Sequence, residues 1–439
     1  MKLVNIHKQI GLLLFFALQS SYSQAQVWSL QTCVDSALSH NKSLQMVQNE
    51  FELVEYRSQE AKAALLPKVF FQGDYRYFSE LPYQLLPQSF FGGPKGVFRE
   101  VQFGVPHTIS TAVSLQMPIY DPQALGTIAT QKVQQDIGQL QVRKTQEHVV
   151  LEVSNLYYTI QIAKNQLAFV SSNLENSRKL EQLTQLLYEQ ELAARTDWDK
   201  VILQVSQLET NTIQLESQIE NLLQSLRFVM GVRPEIPLDI DENIAFEKFI
   251  EEDPVQTSDL LIQEQKVQLS ELQLKTIRNS KIPKLSLYGS YGQSGFGYGG
   301  NPESFLKFFP VSFVGAQVSF PIFNGTVTQK KIQQSRIGLE NARLQEVLVQ
   351  DQREMLLSQS KMNLNIAENQ IATYQSQVNL AESVYKRMLL QHQEGLVGLT
   401  DVLLAENSLR ESQQLYLQGM VDYLKATLQI KNHSGTLLN

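Results

Sequence analysis

Two Thr-Asp pairs in this 439-residue chain have the residue types and the spacing to act together. Thr196-Asp197 recurs as Thr400-Asp401, 204 residues later. Carboxylates that face a common axis attract cations and raise one another's pKa. The same residues also suit helix starts, because threonine caps helices and an aspartate in the first turn interacts favourably with the helix dipole. The sequence leaves both interpretations open, a group of carboxylates that attracts cations and a helix cap, and both can hold together.

Patterns typical of enzymes lack the context that their chemistry needs. Gly295, Gly297 and Gly300 satisfy G-x-G-x-x-G, but Asn301-Pro302 follows, and no helix opens there as a dinucleotide site requires. We interpret this segment as a glycine-rich surface loop between strands. The chain has no nucleophile-elbow or phosphate-loop pattern. We therefore predict no catalytic site, no cofactor and no enzymatic activity.

The histidines and the cysteine also lack partners at ligand spacing. The six histidines are scattered singly, at His7, His40, His107, His148, His392 and His433. This spacing predicts no metal site. Cys33 is the one cysteine, so no disulfide forms within the chain. Leu30-Gln31-Thr32-Cys33 faintly resembles a lipid-attachment box, but it lies well past the apolar run of the leader, which favours an ordinary cysteine near a helix start.

The first residues have the features of a secretory signal peptide. Lys2 and Lys8 precede an apolar run at 10–18, and small polar residues lead to Ala25. We predict that residues 1–25 are removed and that the mature protein works outside the cytoplasm. No later segment reaches the roughly 18 consecutive apolar residues of a membrane-spanning helix, so any membrane crossing is expected to use strands. The net charge of -7 gives no basic excess, and nucleic acid is not an expected partner.

Landmark residues recur in order along the chain. Pro118, in Met117-Pro118-Ile119-Tyr120, returns as Pro321 in Phe320-Pro321-Ile322-Phe323, and Pro67 returns as Pro283. Pro67 and Pro118 are 51 residues apart, whereas Pro283 and Pro321 are 38 apart, so the first half carries an insertion of 13 residues. We place this insertion in a loop. Repetition at a fixed spacing indicates two copies of one structural plan.

The two copies define the predicted domain organisation. We expect structural repeats at 26–233 and 255–439, joined by an acidic, proline-containing connector at 234–254 with room for one short helix. Each repeat is predicted to begin with a helix, near 35–64 and 256–280. A pair of strands, a helix of roughly 70 residues without proline, a tight turn and a return helix follow in each.

The predicted strands alternate apolar and polar residues. The apolar face of the first two carries Val69, Phe71, Tyr75, Tyr77, Ile109, Val113, Leu115 and Met117. A third strand near 314–320 alternates similarly, and 284–292 gives a weaker fourth. This pattern is typical of lipid-facing barrel strands, and a half-exposed soluble sheet is the alternative. Four strands cannot close a barrel, and open edges in lipid leave backbone groups unpaired, so we expect several chains to share one barrel.

The return helices carry coiled-coil seams. In the first half the apolar seam steps by three and four residues through Val201, Val205, Leu208, Thr212, Leu215, Ile219, Leu222, Leu226 and Val229. In the second half one heptad position holds Leu409, Tyr416, Tyr423 and Ile430, and Ser412, Gly419 and Ala426 permit close helix approach. This periodicity predicts helices that pack lengthwise against one another.

These features together resemble the TolC family of outer-membrane efflux proteins over essentially the whole mature chain. The resemblance is carried by the duplicated plan and by Leu30, Cys33, Ala37, Leu38 and Asn41, by Pro67, Pro118, Pro283 and Pro321, by Gly395-Leu396-Val397-Gly398-Leu399-Thr400-Asp401-Val402-Leu403, and by Tyr416, Tyr423, Ala426 and Gly435. It implies a mainly α fold with a membrane β-barrel part. The expected assembly is a TolC-like homotrimer whose 12-stranded barrel takes four strands from each chain and continues as a long periplasmic α-helical coiled-coil barrel.

The resemblance also implies a function and a location. The chain is expected to lie in the bacterial outer membrane, in contact with lipid, with a long periplasmic extension. There it would be the passive exit duct of a tripartite efflux or type I secretion system, supplied by an inner-membrane pump of the RND or ABC type through a periplasmic adaptor protein. The cargo stays open among drugs, metal ions and secreted proteins. A periplasmic structural coiled coil or an adaptor-like protein is the alternative function.

In this family the turns between long and return helices form the periplasmic tip and its gate. The corresponding residues here are Tyr188, Thr196, Asp197, His392, Gly395, Thr400 and Asp401, and the prolines Pro67, Pro118, Pro283 and Pro321 mark where strands begin and end. His392 stands where the family carries tyrosine, and Val397 and Leu404 replace polar residues. These departures put a gate built on those particular polar links in doubt.

Overall fold

A computed structural model describes residues 27–244, 249–250, 253–297 and 307–438. The predicted signal peptide at 1–25 lies outside the described residues, as do Gly300 and Asn301-Pro302. The described chain forms two compact units, each assembled from segments of both halves. The helical unit comprises the described residues up to 51, 139–263 and those from 346 onward, and the sheet unit comprises 52–138 and 264–345. The boundaries of the predicted repeats therefore remain predictions.

Helices make up most of the described chain. They are α1 (Leu30–His40), α2 (Lys42–Ala63), α3 (Pro122–Glu189), α4 (Arg195–Met230), α5 (Ser258–Asn279), α6 (Val327–Gln393) and α7 (Leu399–Ser434). The two long helices contain 68 and 67 residues, so each is on the order of 100 Å long. No helix in the described ranges is long and apolar enough to cross a membrane.

Asn41 divides the predicted first helix into α1 and α2. Its backbone is extended, with φ −60° and ψ 126°. Its side-chain amide donates to the carbonyl of Val229 at 2.7 Å, and its side-chain oxygen accepts the backbone N–H of Leu44 at 2.9 Å. Asn41 therefore caps α2 and ties that start to the end of α4.

The strands are short except in one sheet. They are β1 (Val27–Trp28), β2 (Lys68–Tyr77), β3 (Tyr83–Pro87), β4 (Phe98–Gln102), β5 (His107–Tyr120), β6 (Asp239–Ile240), β7 (Lys284–Gly297) and β8 (Lys307–Ser319). β2, β5, β7 and β8 form one antiparallel sheet in that order. The helices and this four-stranded sheet confirm the predicted fold class, mainly α with four long strands per chain.

The register of this sheet confirms the predicted separation of faces. Val69 pairs with Leu115, Leu115 with Gly289 and Gly289 with Val314, so all four share one face. On that face Phe71 is 73% and Val314 is 88% exposed. An apolar sheet face that stays open within the chain is suited to lipid rather than to water.

Two predictions within the sheet unit are wrong. Gly295 and Gly297 belong to β7 and not to a surface loop, and a Cβ added at Gly295 would lie 2.8 Å from the ring of Phe308 on the neighbouring strand. Glycine there lets the aromatic ring lie across the backbone. The predicted weak strand is thus 14 residues long. The insertion of the first half is not a plain loop, because it forms the two-stranded sheet β3–β4 around a short 3-10 helix at Gln88–Phe91.

The helical unit buries the predicted seam of α4, with one shift. Val201, Leu208 and Leu226 are fully buried, as the heptad pattern predicts. Leu223, rather than the predicted Leu222, is the buried member of its turn, because the straight helix drifts against a strict seven-residue repeat.

The second return helix, α7, confirms the close approach predicted from its small residues. A Cβ added at Gly419 would lie 3.0 Å from the ring of Tyr374 on α6. Tyr423 and Ile430 are buried, in agreement with their predicted heptad position. The small residues therefore leave room for aromatic rings between the helices.

Cys33 and the connector pack into the same unit. Cys33 is fully buried in α1, and burial raises the pKa of its thiol to about 12, so it behaves as an apolar core residue. In the connector, Asp239–Ile240 pairs in parallel with Val27–Trp28, and Lys164 Nζ lies 2.5 Å from the Asp239 carboxylate. The described connector residues, 234–244, 249–250 and 253–254, contain no helix, and the other positions where the short helix is predicted lie outside the described residues.

Candidate functional site

The two tight turns of the helical unit are the candidate site. The first joins the end of α3 at Glu189 to the start of α4 at Arg195, and the second joins α6 at Gln393 to α7 at Leu399. One apolar cluster contains residues from all four helices, namely Leu180, Val201, Tyr385, Leu399, Val402, Ala405 and Leu409. Leu399 and Val201 stand only a few residues beyond their turns. The shared cluster therefore places both turns at the same end of the unit.

The backbone of the two turns is the same. The N–H of Leu192 donates to the carbonyl of Leu187 at 2.8 Å, and the N–H of Leu396 donates to the carbonyl of Gln391 at 2.9 Å. In each turn the preceding residue is left-handed, with φ 58° at Glu191 and 75° at Gly395. This is the Schellman type of helix end, which satisfies the last carbonyls of the helix.

The predicted threonine caps are wrong. The N-cap residues are Ala194 and Gly398, so Thr196 and Thr400 lie within the first helical turn. The helices begin two residues earlier than the threonines suggest, because the N–H of Asp401 already bonds to the carbonyl of Gly398 at 3.1 Å. The hydroxyls of the threonines therefore do not close these helix ends.

The two aspartates have different partners. Asp401 Oδ2 accepts the backbone N–H of Gly398 at 3.2 Å, so its carboxylate caps α7 from the third helical position. Asp197 instead forms an ion pair with Lys200 Nζ at 3.0 Å. In the described part of the chain, neither carboxylate contacts the other turn. One chain by itself therefore does not bring the two Thr-Asp pairs together.

An aromatic and cationic stack covers the first turn. The guanidinium carbon of Arg195 lies 4.3 Å from the ring centroid of Trp198 and 5.7 Å from that of Tyr188. The two rings are 5.6 Å apart, and Arg195 Nε lies 3.0 Å from Asp199 Oδ1. Cation–π contacts of this kind hold a turn in one conformation.

Sequence reasoning identified Tyr188 but missed Arg195 and Trp198. The available signal was the spacing of three between Arg195 and Trp198, which places both on one face of a helix. Tyr188 lies in the last turn of the preceding helix, across the tight turn. The three side chains are neighbours because of the turn, and no periodicity within one helix predicts that contact.

The second turn is closed by a histidine and by buried apolar residues. His392 occupies the position equivalent to Tyr188, and its Nδ1–H donates to the carbonyl of Val397 at 3.0 Å. Leu399 and Val402, equivalent to Arg195 and Trp198, are 5% and 0% exposed. Core residues thus anchor the second turn, whereas the Arg195 stack anchors the first turn nearer the surface.

Three of the four prolines lie beside strand ends of the sheet unit, whereas the strand exit predicted at Pro118 is wrong because β5 continues to Tyr120. Pro67 and Pro283 directly precede β2 and β7, and Pro321 stands two residues after β8. Pro118 lies inside β5, whose pairing with β7 shifts between Pro118 and Tyr120. Proline donates no backbone hydrogen bond, so it fits best where regular pairing begins, ends or shifts.

Within the described ranges, no group of three or more His, Cys, Asp or Glu side chains is arranged to hold a metal ion. The turns present single carboxylates, one histidine and an arginine stack. Among the described residues, this arrangement contains no nucleophile with an adjacent base.

Comparison with known proteins gives consistent matches along the chain. The sequence profile of the family described as "Outer membrane efflux protein" matches residues 33–232 and 255–436. The outer membrane protein TolC of Salmonella enteritidis is 21% identical over 446 residues, which cover 99% of this chain and 87% of that protein. The alkaline protease secretion protein AprF of Pseudomonas aeruginosa is 21% identical over 344 residues, covering 74% of this chain and 69% of AprF.

Solved structures share the same fold. The outer membrane protein VceC from Vibrio cholerae superposes with a TM-score of 0.77 at 14% sequence identity, covering 92% of this chain and 96% of VceC. At this level of identity the likeness concerns the fold alone.

Proposed function

Because this chain belongs to the outer membrane efflux protein family, we propose that it is the channel subunit through which a tripartite efflux or type I secretion system exports its cargo across the outer membrane. The family consists of transport proteins, and the chain carries no catalytic role in this proposal. An inner-membrane pump of the RND or ABC type delivers the cargo through a periplasmic adaptor. The passage itself is passive.

The open edges of the four-stranded sheet are the observation that carries this proposal. β2 and β8 stand at the two edges, and within the described residues neither pairs with a further strand. Unpaired backbone groups cost several kcal/mol each in lipid, so a sheet held in a membrane must close with strands from other chains. Three copies supply twelve strands, an even number within the range of closed membrane barrels.

The long helix α6 carries an apolar surface that supports the same assembly. Within the helical unit the exposed apolar residues of α6 include Val347, Leu348, Met355, Met362, Ile366 and Leu380. Each of these side chains is at least half exposed in the single chain. Large contiguous apolar surface on a single chain indicates an interface, and sister chains of a homotrimer would cover it.

The turns are the proposed contact with the adaptor. Leu192 and Leu396 occupy equivalent positions at the two turns and are 71% and 68% exposed. Apolar side chains at the end of a helical hairpin fit into hollows on another helical surface. The name of AprF concerns secretion of a protease, and our proposal leaves the cargo open among proteins, drugs and metal ions.

The proposal is tested by reconstitution of the mature full-length protein. Purified from outer membranes in detergent, it should run as an SDS-resistant oligomer with the mass of three chains and form conducting pores in planar lipid bilayers. A water-soluble single chain without conductance would instead favour a periplasmic structural coiled coil or an adaptor-like protein.

We also propose that Asp197 and Asp401 set the charge of the pore at its periplasmic end. Three chains contribute six carboxylates, and Lys200 compensates Asp197 only in part because exposed ion pairs are screened by water. The double variant Asp197→Asn with Asp401→Asn should lower the cation-over-anion permeability ratio severalfold in single-channel recordings. Asp422→Asn, an exposed aspartate of α7 far from the turns, is the matched control. Unchanged selectivity in the double variant would leave Asp401 with its capping role alone.

A further inference from the structure

A buried carboxyl group lies in the helical unit beyond the second turn. Glu406 of α7 is 1% exposed, whereas Glu411 of the same helix is exposed. It follows Ala405, a member of the apolar cluster shared by both helical hairpins. A glutamate is almost never fully buried without a partner of opposite charge, so this position requires an explanation.

The contacts of Glu406 bring together four helices. Its Oε1 accepts the hydroxyl proton of Ser177 on α3 at 2.9 Å. Ser177 Oγ in turn accepts the side-chain amide of Gln204 on α4 at 3.2 Å. Tyr385 of α6 faces the same carboxyl group closely enough for the glutamate charge to affect its hydroxyl. In the described part of the chain, Glu406 Oε2 and the Tyr385 hydroxyl have no hydrogen-bond partner.

This environment favours the neutral form of Glu406. Burial raises the pKa of its carboxyl group, and this effect exceeds the opposing effects of Ser177, Gln204 and the positive charge of Arg410 on the same helix. A tyrosine hydroxyl carries no positive charge that could compensate a carboxylate, and Tyr385 stays neutral because burial and the nearby glutamate raise its pKa to about 12. A neutral acid can remain in this position, whereas a carboxylate with so few donors is costly there.

We propose that Glu406 is a proton-dependent lock, which holds α3, α4, α6 and α7 together near the turns as a neutral acid and separates α7 from its neighbours when it ionises. When α7 moves away from its neighbours, water can hydrate the ionised carboxylate of Glu406. Hydration removes the free-energy cost of keeping that charge buried. Loosening at this level widens the end of the pore, a consequence that rests on the proposed channel function.

The direction of the pH dependence follows from linkage. Because the pKa of Glu406 is higher in the packed arrangement than in water, the packed arrangement is fully favoured below the ordinary carboxyl pKa of about 4.3. The advantage is lost as the pH rises from there through the raised pKa. The helices are therefore locked in acid and loosened toward alkaline pH.

Hydrogen exchange of the full-length detergent-solubilised protein tests the lock directly. Exchange is measured on peptides that cover Ser177 and Glu406, with labelling times scaled for the chemical effect of pH. In the natural protein, exchange should accelerate by about tenfold for each pH unit in the window where Glu406 ionises. Glu406→Gln, which cannot ionise, should stay slow throughout, whereas Glu411→Gln should follow the natural protein.

Two further measurements keep the outcome decisive. If Glu406→Gln does not fold, Ser177→Ala takes its place. This variant removes the hydroxyl donor to the ionised form and raises the pKa of Glu406 further, so the acceleration should begin at the same pH and continue to a higher pH than in the natural protein. An acceleration that persists in Glu406→Gln, or that ends at the same pH in Ser177→Ala as in the natural protein, overturns the lock. An absence of conductance in every variant overturns the proposed channel and leaves the exchange result standing. Conductance that rises with pH in Glu411→Gln but not in Glu406→Gln supports both.

Discussion

The two turns of the helical unit have the same backbone conformation, but different kinds of side-chain contact stabilise them. Both end a long helix with the same hydrogen-bond pattern and a left-handed residue, Glu191 in one and Gly395 in the other. In the first turn the next helix places the exposed Arg195 over the ring of the half-buried Trp198. In the second, the equivalent Leu399 and Val402 are core residues. A duplicated backbone therefore does not require a duplicated anchor.

The two kinds of contact differ in strength and in their dependence on salt. Burial of aliphatic side chains stabilises the second turn strongly and in any salt concentration. The stack and ion pairs of the first turn are weaker, depend on ionic strength and leave polar groups at the surface. The stability of the first turn is therefore expected to depend on ionic strength more than that of the second turn.

The largest expected difference comes from the equivalent positions 399 and 195. Leu399→Ala should lower the free energy of unfolding by about 2–4 kcal/mol, because it leaves a cavity in the cluster of both hairpins. Arg195→Ala should cost about 1 kcal/mol or less, since it removes a cation–π contact and an exposed ion pair. Thermal unfolding followed by circular dichroism measures both. Equal losses would contradict the assignment of a core anchor to one turn and a surface anchor to the other.

A smaller difference is expected at the left-handed residues. Gly395→Ala should cost about 1–2 kcal/mol from backbone strain alone, since no atom lies within 4 Å of the added Cβ. Glu191→Gly should stabilise the first turn by about 0.5 kcal/mol, because it relieves the strain of a non-glycine residue at φ 58°. Gly338→Ala, inside α6 near its N-terminal end and with open space around the added Cβ, is a control for the general effect of glycine in a helix. Loss of stability in Glu191→Gly would contradict the strain argument.

The smallest difference is expected at the two aspartates. Asp401→Ala should cost about 0.5–1 kcal/mol by removing a cap and a favourable charge at a helix start. Asp197→Ala should lower the free energy of unfolding by less than about 0.5 kcal/mol, because the ion pair that it removes, between Asp197 and Lys200, is exposed to water. Unfolding in low and high salt distinguishes them. Only the Asp197 effect should disappear in high salt, and a loss of both would place Asp401 among the ion pairs too.

Much of the fold was predictable because the spacing of apolar residues within one segment is enough to indicate a helix or a strand. The absence of proline over long stretches predicted α3 and α6, and the steps of three and four residues predicted the buried face of α4. Alternation along Val69, Phe71 and Tyr75 predicted which face of β2 is apolar. The length of β7 was underestimated from the sequence, because its glycines break the alternation. At Gly295 the ring of Phe308 on the next strand fills the space of a side chain.

The candidate site was predicted only in part. The recurrence of Thr-Asp located both turns, yet the threonines do not cap the helices, since Ala194 and Gly398 take that position. A threonine beside a turn resembles a cap whether or not the helix starts there. The start is decided by the backbone bonds that the preceding residues make.

The sequence by itself determined the family, the order of the elements and the location of the two turns, because each depends on patterns within one segment or on spacing along the chain. Only the tertiary structure decided that Arg195 stacks on two rings while Leu399 is buried, and that Glu406 meets Ser177 and Tyr385. The contacts of Leu399 and Glu406 join residues tens to hundreds of positions apart on different helices, and the Arg195 stack includes a ring from the other side of a tight turn. Packing between helices fixes which side of a helix is enclosed, and with it whether a carboxyl group meets water or an apolar interior.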